Sequence, residues 1–134
     1  MRIMLDTNVL ISAALFPNER MKQLLNIVLS NELLMSEYVA EEMKSVVERK
    51  FPLKKSAVEV FLKYLGCEYI TLPSDIPQEK VKIRDVKDYP VVYSAISGNA
   101  DILLTGDKDF CDLGLNRPRI MTPAQFLEEF GCYE

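Results

Sequence analysis

The chain has 134 residues, of which 49% are hydrophobic, enough for one domain with a sizeable core and too apolar for a disordered protein. Its 20 acidic and 16 basic side chains make the chain mildly acidic, so its net charge gives no indication of nucleic-acid binding. An acidic pocket surrounded by basic residues could have the same net charge, so nucleic-acid binding is not excluded. The absence of histidine excludes histidine-dependent serine and cysteine triads and histidine-rich zinc sites.

The longest apolar runs are far too short to cross a bilayer. The N-terminus lacks the basic and apolar regions of a signal peptide, so we expect a cytoplasmic protein with no membrane partner. Its three cysteines stand far apart with no paired spacing, which favours buried or incidental thiols over a disulfide or metal site.

Short apolar runs alternate along the chain with apolar residues at helical spacing. The opening run ends at Asp6, and apolar residues resume at Val9, which predicts a buried strand followed by a helix. Further strands are predicted at about 33–35, 67–72, 101–105 and 119–121, with a brief extended piece at 81–83. Further helices are predicted at about 21–30, 37–50, 54–65, 89–97 and 123–130.

Local signals mark several helix ends. Ser36 and Asp88 stand where capping residues belong, and Thr122 to Gln125 has the pattern of a capping box with proline at the first helical position. Gly66 and Gly98 are predicted to close the helices that precede them. Residues 73–78 are predicted to form a loop.

Alternation of helices and strands implies a parallel sheet covered by helices. We therefore predict an α/β fold, a three-layer α/β/α sandwich with a central and mainly parallel sheet. The chain shows no repeat, linker or low-complexity segment, so residues 1–134 are predicted to form a single domain.

Acidic residues follow or precede several of the predicted elements. Asp6 and Asp107 each end an apolar run, and Asp88 precedes a helix, so all three are expected at loop ends of the sheet. One acid at such a position is commonly only a helix cap, which leaves the role of Asp6 open. Three acids at one edge repel each other unless a counterion is present, and Mg²⁺ or Mn²⁺ prefers carboxylate oxygens.

Two neighbouring glutamates lie on the third predicted helix and differ in helical phase. Glu42 is three residues after Val39 and four before Val46, so it borders the apolar stripe of the helix. Glu41 falls about 160° from Met43 at roughly 100° per residue and is expected to face water. Spacing alone leaves Glu42 open between a solvated edge position and a functional one.

The motifs, in this order and spacing, resemble those of PIN-domain ribonucleases, in particular the VapC-like toxin components of toxin–antitoxin pairs. The resemblance covers essentially the whole chain. The matching stretches are Leu5 to Leu10, Ser36 to Val47, Asp85 to Ala95, Ala100 to Phe110, and Ile120 to Leu127.

This resemblance implies a divalent-metal-dependent endoribonuclease that cleaves phosphodiester bonds of single-stranded RNA. It implies that Asp6, Glu42, Asp88 and Asp107 are catalytic and bind one or two Mg²⁺ or Mn²⁺ ions. In two-metal sites the ions lie about 3.5–4 Å apart and act on the attacking and leaving oxygens. The resemblance further implies an antitoxin protein as partner and a homodimer.

Four more residues of the motifs carry open assignments. Asn8 and Thr105 would orient carboxylates or waters around the metal, and their alternative roles are those of turn and strand-end residues. Asp85 is an alternative to Asp88. Asp109 is an alternative to Asp107 or shares its role.

Two other classes of protein compete with the nuclease. The first is a non-catalytic PIN-like module that binds RNA or protein, against which the intact acids argue. The second is a phosphoryl-accepting receiver domain, which needs adjacent acids after the first strand and a lysine after the last. The adjacent acids are missing from Leu5-Asp6-Thr7, and the lysine is missing from Ile120-Met121-Thr122. A nucleotide hydrolase is also disfavoured, because the sequence has no phosphate-binding glycine-lysine loop.

Overall fold

The computed structural model describes residues 1–71, 89–107, 110 and 117–131. In these ranges one sheet is formed, with strand order β3-β2-β1-β4-β5 and every neighbouring pair parallel. The strands are β1 (Arg2–Leu5), β2 (Glu32–Ser36), β3 (Glu68–Ile70), β4 (Ile102–Leu104) and β5 (Arg119–Met121). The helices are α1 (Thr7–Leu15), α2 (Glu19–Leu29), α3 (Glu37–Lys50), α4 (Lys55–Tyr64), α5 (Tyr89–Ser97) and α6 (Pro123–Phe130). The predicted α/β/α sandwich with a parallel sheet is confirmed.

Strand β1 lies at the centre of the sheet, and its apolar residues are buried on both faces. Ile3, Met4 and Leu5 are at most 1% exposed, as expected for a parallel strand covered by helices. Strand β4 beside it is equally apolar and buried. The candidate site lies at the carboxyl ends of these two buried strands.

Four of the described helices, α1, α2, α3 and α6, begin at residues whose side chains cap them. Ser36 accepts a hydrogen bond from the backbone N–H of Val39, and Thr122 and Gln125 form the predicted capping box of α6. Helix α3, the longest in the described part of the chain, has 14 residues. Among the described residues no helix is long and apolar enough to cross a membrane.

The structure confirms that α5 ends just before Gly98 and shifts the predicted end of α4 before Gly66 by one residue. After α5, the residue in the left-handed region is Asn99, with φ 54°. Gly98 is tightly packed, since a Cβ there would lie 3.0 Å from the side chain of Ile70 and 3.2 Å from the carbonyl oxygen of Ser94. Helix α4 ends at Tyr64, one residue earlier than predicted, and its capping residue Leu65 is extended.

Other boundaries differ at the edges of the described ranges. A short 3-10 helix at Pro52–Lys54 precedes α4, and β3 covers three residues where a longer strand was predicted. The predicted loop at 73–78, the extended piece at 81–83 and the cap at Asp88 lie outside the described residues.

The order of the strands reverses at the centre of the sheet. The chain runs outward from β1 to β2 and β3, and then returns to form β4 and β5 on the other side of β1. Ligands of open parallel sheets bind outside the carboxyl ends of the strands at such a reversal. The crevice between the ends of β1 and β4 is therefore the place where this architecture favours a site.

At the other end of the sheet, where the strands begin, Arg2 forms hydrogen bonds to several neighbouring segments. Its guanidinium donates to Glu32 at 2.8 Å, to Glu68 at 2.6 Å and to the carbonyl of Gly98 at 2.9 Å. Its backbone N–H donates to Asp101 at 2.8 Å. Acids at this amino-terminal edge thus have a basic partner within the protein.

Candidate active site

Asp6 follows β1 directly and stands at the carboxyl edge of the sheet. Its backbone N–H donates to the carbonyl of Leu104 at 3.0 Å, which extends the pairing of β1 with β4 by one residue. Its Oδ1 accepts from the backbone N–H of Val9 at 2.9 Å and so caps helix α1. The cap interpretation of Asp6 is therefore correct, and it engages only one of the two carboxylate oxygens.

Thr105 holds the second oxygen of Asp6. The Thr105 hydroxyl donates to Asp6 Oδ2 and accepts from the backbone N–H of Asp107 at 3.0 Å. Thr105 and Asp6 are 1% and 6% exposed. This chain of hydrogen bonds ties the loop that carries Asp107 to the buried carboxylate at the end of the neighbouring strand.

Helix α3 separates the two neighbouring glutamates. Glu42 is half-buried and lies in the wall of a small cavity that Asp6 and Asp107 also line. Glu41 is exposed and forms an ion pair with Lys44 at 3.6 Å. The helical phase inferred from the sequence thus matches where the two side chains lie.

The cavity has a volume of about 50 Å³ and lies at the reversal of strand order. A water molecule needs roughly 10–15 Å³ on this measure, so the cavity has room for a few water-sized groups. Three carboxylates and two apolar side chains share its wall with Thr7 and Asn8. The described residues that line it are Asp6, Thr7, Asn8, Glu42, Val91, Asp107 and Phe110.

Thr7 is a polar residue of the cavity wall to which the sequence analysis gave no role. Its side chain is buried, and its Oγ1 has no hydrogen-bond partner among the described residues. A buried hydroxyl without a partner is rare in folded proteins and calls for an explanation. Its position between Asp6 and Asn8 in the first motif was the available signal.

The electrostatics of the cavity disfavour an ionised Asp6. Burial raises the pKa of Asp6, the hydrogen bonds from Thr105 and Val9 oppose that shift, and the negative charges of Asp107 and Glu42 add to it. A perturbed carboxyl in a cleft with like charges nearby is a common mark of a functional site. A bound cation would reverse each repulsive contribution.

The donors present fit a hard divalent cation in type. Asp6, Glu42 and Asp107 supply carboxylate oxygens, and none of the described residues that line the cavity is a soft ligand. Within the described ranges, however, no group of three or more acidic or thiol side chains is already arranged to hold a metal ion. Asp85, Asp88 and Asp109, which the sequence also nominates, lie outside those ranges.

A larger cavity of about 370 Å³ lies between α3 and α4, away from the strand ends. Its wall alternates acids with lysines, including Glu41 and Lys44, so its charges neutralise each other locally. It contains no buried carboxyl comparable to Asp6. We therefore take the smaller cavity as the candidate active site on chemical grounds rather than by size.

The family of the chain is established by a match of residues 2–109 to the family model described as PIN domain. This match covers β1 to the loop after β4 and includes Asp6, Glu42 and Asp107. The chain belongs to the PIN-domain family. No curated protein sequence matches it.

Two solved structures share the fold at low sequence identity. The VapBC2 complex of Rickettsia felis, bound to a DNA fragment from its promoter, matches with a TM-score of 0.70 and 20% identity over 91% of this chain and 98% of that one. VapC20 of Mycobacterium tuberculosis, described as a sarcin-ricin loop cleaving toxin, matches with a TM-score of 0.60 and 13% identity over 84% of this chain and 95% of that one.

Proposed function

We propose that this PIN domain is a divalent-metal-dependent endoribonuclease that cleaves single-stranded RNA. The observation that carries the proposal is the buried carboxyl of Asp6, which shares one small cavity with Glu42 and Asp107 at the reversal of the sheet. Fold alone would not support it, because one fold hosts many functions. The family match and the acids of the cavity support it together.

Asp6, Glu42 and Asp107 would hold Mg²⁺ or Mn²⁺, with Asp88 as a fourth proposed ligand. When bound, such an ion activates water as a nucleophile and stabilises charge on the scissile phosphate. Each carboxylate oxygen has two lone pairs, so Asp6 can keep its contacts to Val9 and Thr105 and still bind a cation. Thr105 thereby fixes the direction of the Asp6 carboxylate.

The remaining residues of the cavity would orient the substrate and limit access of bulk water. Asn8 is exposed at the rim, where its amide can bind a phosphate oxygen or a water. Val91 and Phe110 form an apolar wall, which lowers the local dielectric constant and strengthens charge interactions inside the cavity. No histidine base is needed in this scheme.

The decisive experiment is cleavage of end-labelled single-stranded RNA with Mg²⁺, Mn²⁺ or a chelator. We expect cleavage by wild-type protein with either metal, and none in chelator or by Asp6→Asn. Asparagine is as good an N-cap as aspartate, so this control removes charge with little loss of helix capping. Equal cleavage in chelator, or by the variant, would contradict the mechanism. RNA binding without cleavage in any metal would favour the non-catalytic module.

We further propose that the nuclease is the toxin of a toxin–antitoxin pair, acts in the cytoplasm and forms a homodimer. This rests on the resemblance of its motifs and on the fold that it shares with VapC20 and VapBC2. Induced expression in a bacterium should arrest growth for the wild-type chain and not for Asp6→Asn. Unaffected growth, with no protein that co-purifies, would favour a nuclease without an antitoxin.

A further inference from the structure

Two serine hydroxyls meet in the core beside the candidate site. Ser36 Oγ and Ser94 Oγ are 2.8 Å apart, and both residues are 0% exposed. They are 58 positions apart in the chain, so the contact is made only by the tertiary fold. The cleavage scheme proposed above assigns neither of them a role.

The direction of this hydrogen bond follows from counting protons. Ser94 Oγ lies 2.7 Å from the carbonyl of Pro90, which can only accept, so the single proton of Ser94 is used there. The proton of the Ser36–Ser94 contact must then come from Ser36. Ser36 Oγ in turn accepts from the backbone N–H of Val39 at 3.4 Å.

The resulting chain runs in one direction from the start of α3 to the start of α5. It passes from Val39 N–H through the Ser36 and Ser94 hydroxyls to the Pro90 carbonyl. Glu42 lies six residues beyond Ser36 on α3, or about 9 Å along the axis at 1.5 Å per residue. At the other end, Val91 follows Pro90 on α5 and lines the same small cavity as Glu42.

A hydrogen-bonded pair constrains two helices more tightly than an apolar contact would. Hydroxyl oxygens meet near 2.7–2.8 Å with a preferred direction, whereas carbon atoms pack at about 3.5–4.0 Å with a shallow, non-directional minimum. Apolar residues at both positions would satisfy the core without fixing this separation. Satisfied polar contacts in a core also specify one arrangement of the elements around them.

We propose that Ser36 and Ser94 are positioning residues, which set the separation of α3 from the start of α5 so that Glu42 keeps its place in the wall of the small cavity beside Asp6 and Asp107, with which it would hold a metal ion. The proposal depends on the metal-dependent nuclease function and goes beyond it by naming a contact remote from the ion. Neither serine is proposed to touch the metal or the RNA.

The test compares Ser94→Ala with wild type by calorimetric titration of the metal-free protein with Mn²⁺, in the absence of RNA. We expect the affinity for Mn²⁺ to fall about tenfold, at the lower end of the range for residues that orient metal ligands. Cleavage at saturating Mn²⁺ should recover most of the wild-type rate. Ser97→Ala, an exposed serine on the same helix, should bind Mn²⁺ as wild type does.

A second control separates positioning from general loss of stability. Val28→Ala removes buried volume from α2, which carries none of the four proposed ligands, and lowers the unfolding midpoint. This variant should retain wild-type affinity for Mn²⁺. If Ser94→Ala does not fold, Ser94→Cys keeps a similar shape with a weaker hydrogen-bonding group and should also bind Mn²⁺ more weakly.

The outcomes distinguish the two proposals. Wild-type affinity in Ser94→Ala, or an equal loss in Val28→Ala, would overturn the positioning role while the nuclease proposal stands. Failure of the wild-type protein to bind Mn²⁺ would overturn the metal-dependent function itself, and the positioning role with it.

Discussion

Both carboxyl oxygens of Asp6 accept hydrogen bonds within the protein. One oxygen caps α1 and the other accepts from Thr105, so the carboxyl is held in place before any ligand arrives. Burial and the charges of Asp107 and Glu42 make its ionised form unfavourable. The residue is thus preorganised at a free-energy cost, which a cation would offset.

The pH dependence of stability should report this cost. In the metal-free protein the pKa of Asp6 is raised from its ordinary value of 3.8, so the folded state binds the proton more tightly than the unfolded chain does. The stabilisation is present below pH 3.8 and is lost as the pH rises through the interval up to the raised pKa. Asp6→Asn has no such titration, so the variant should gain stability relative to wild type across that interval.

The measurement is urea unfolding of both proteins in chelator, over a pH series from just above 3.8 to neutrality. Chelator is essential, since a bound ion would reverse the effect. A difference in unfolding free energy that stays constant with pH would show that Asp6 is not perturbed in the folded state.

Thr105, which donates to Asp6, and Thr7, which lines the cavity, should respond differently to substitution by valine. Thr105→Val removes a satisfied hydroxyl, leaves Asp6 Oδ2 without its donor, and should lower the unfolding free energy by about 1–3 kcal/mol. Thr7→Val removes a hydroxyl that has no partner among the described residues, so stability should be unchanged or up to about 1 kcal/mol higher. Chemical denaturation of both variants in chelator measures the contrast, and a clear loss for Thr7→Val would reveal a missed contact.

At the scale of the secondary-structure element, helix α3 places the chemically identical side chains of Glu41 and Glu42 in different environments. The helix buries Val39, Met43 and Val47, and its phase places Glu42 at the cavity and Glu41 in the exposed pair with Lys44. Because side-chain direction rotates by about 100° per residue, neighbouring positions on a helix cannot share one face.

Substitution of each glutamate by glutamine should therefore separate function from surface charge. Glu42→Gln keeps size and removes the charge that a hard cation prefers, so RNA cleavage should fall by more than the roughly 10–100-fold typical of residues that only support a ligand. Glu41→Gln should retain activity and change stability by no more than about 0.5 kcal/mol. The measurement is the rate of RNA cleavage by both variants at equal metal concentration. Loss of activity in the Glu41 variant alone would mean that Glu42 is wrongly assigned as a metal ligand.

At the scale of the whole molecule, the strand order gathers residues that are far apart in the chain. Asp6 and Thr105 lie 99 positions apart and meet because β1 and β4 are neighbours in register. The two ends of the sheet differ in electrostatic character. Acids at the amino end are neutralised by Arg2, whereas the charges around Asp6 at the carboxyl end repel one another.

Saturating Mg²⁺ or Mn²⁺ should stabilise the whole fold, because binding to the native state relieves that repulsion. At a free metal concentration about a hundredfold above the dissociation constant, linkage gives roughly 2.7 kcal/mol. Thermal unfolding with and without metal measures it, with a monovalent salt at matched ionic strength as the control. An unfolding temperature indifferent to saturating metal would argue against a shared site, and Glu42→Gln should show a smaller shift than Glu41→Gln.

The sequence by itself determined the element order, the parallel sheet and the helix phase, because these follow from local periodicity, caps and strand-end residues. It also nominated Asp6 and Asp107, since acids that end apolar runs emerge at one edge of a parallel sheet, and Glu42, since its helical phase borders the apolar stripe of α3. The metal-binding roles of these acids, and of Asp88 with its alternatives, stay predictions.

Only the tertiary structure decided which polar groups meet across the chain. The hydrogen bond from Thr105 to Asp6 and the Ser36–Ser94 pair depend on strand order and helix packing. So does the burial of the Thr7 hydroxyl, which has no hydrogen-bond partner among the described residues. The same holds for the tight packing of Gly98 against the side chain of Ile70, which belongs to another element. Local propensity carries no information about such contacts, because each partner is chosen by the packing of distant segments rather than by its neighbours in the chain.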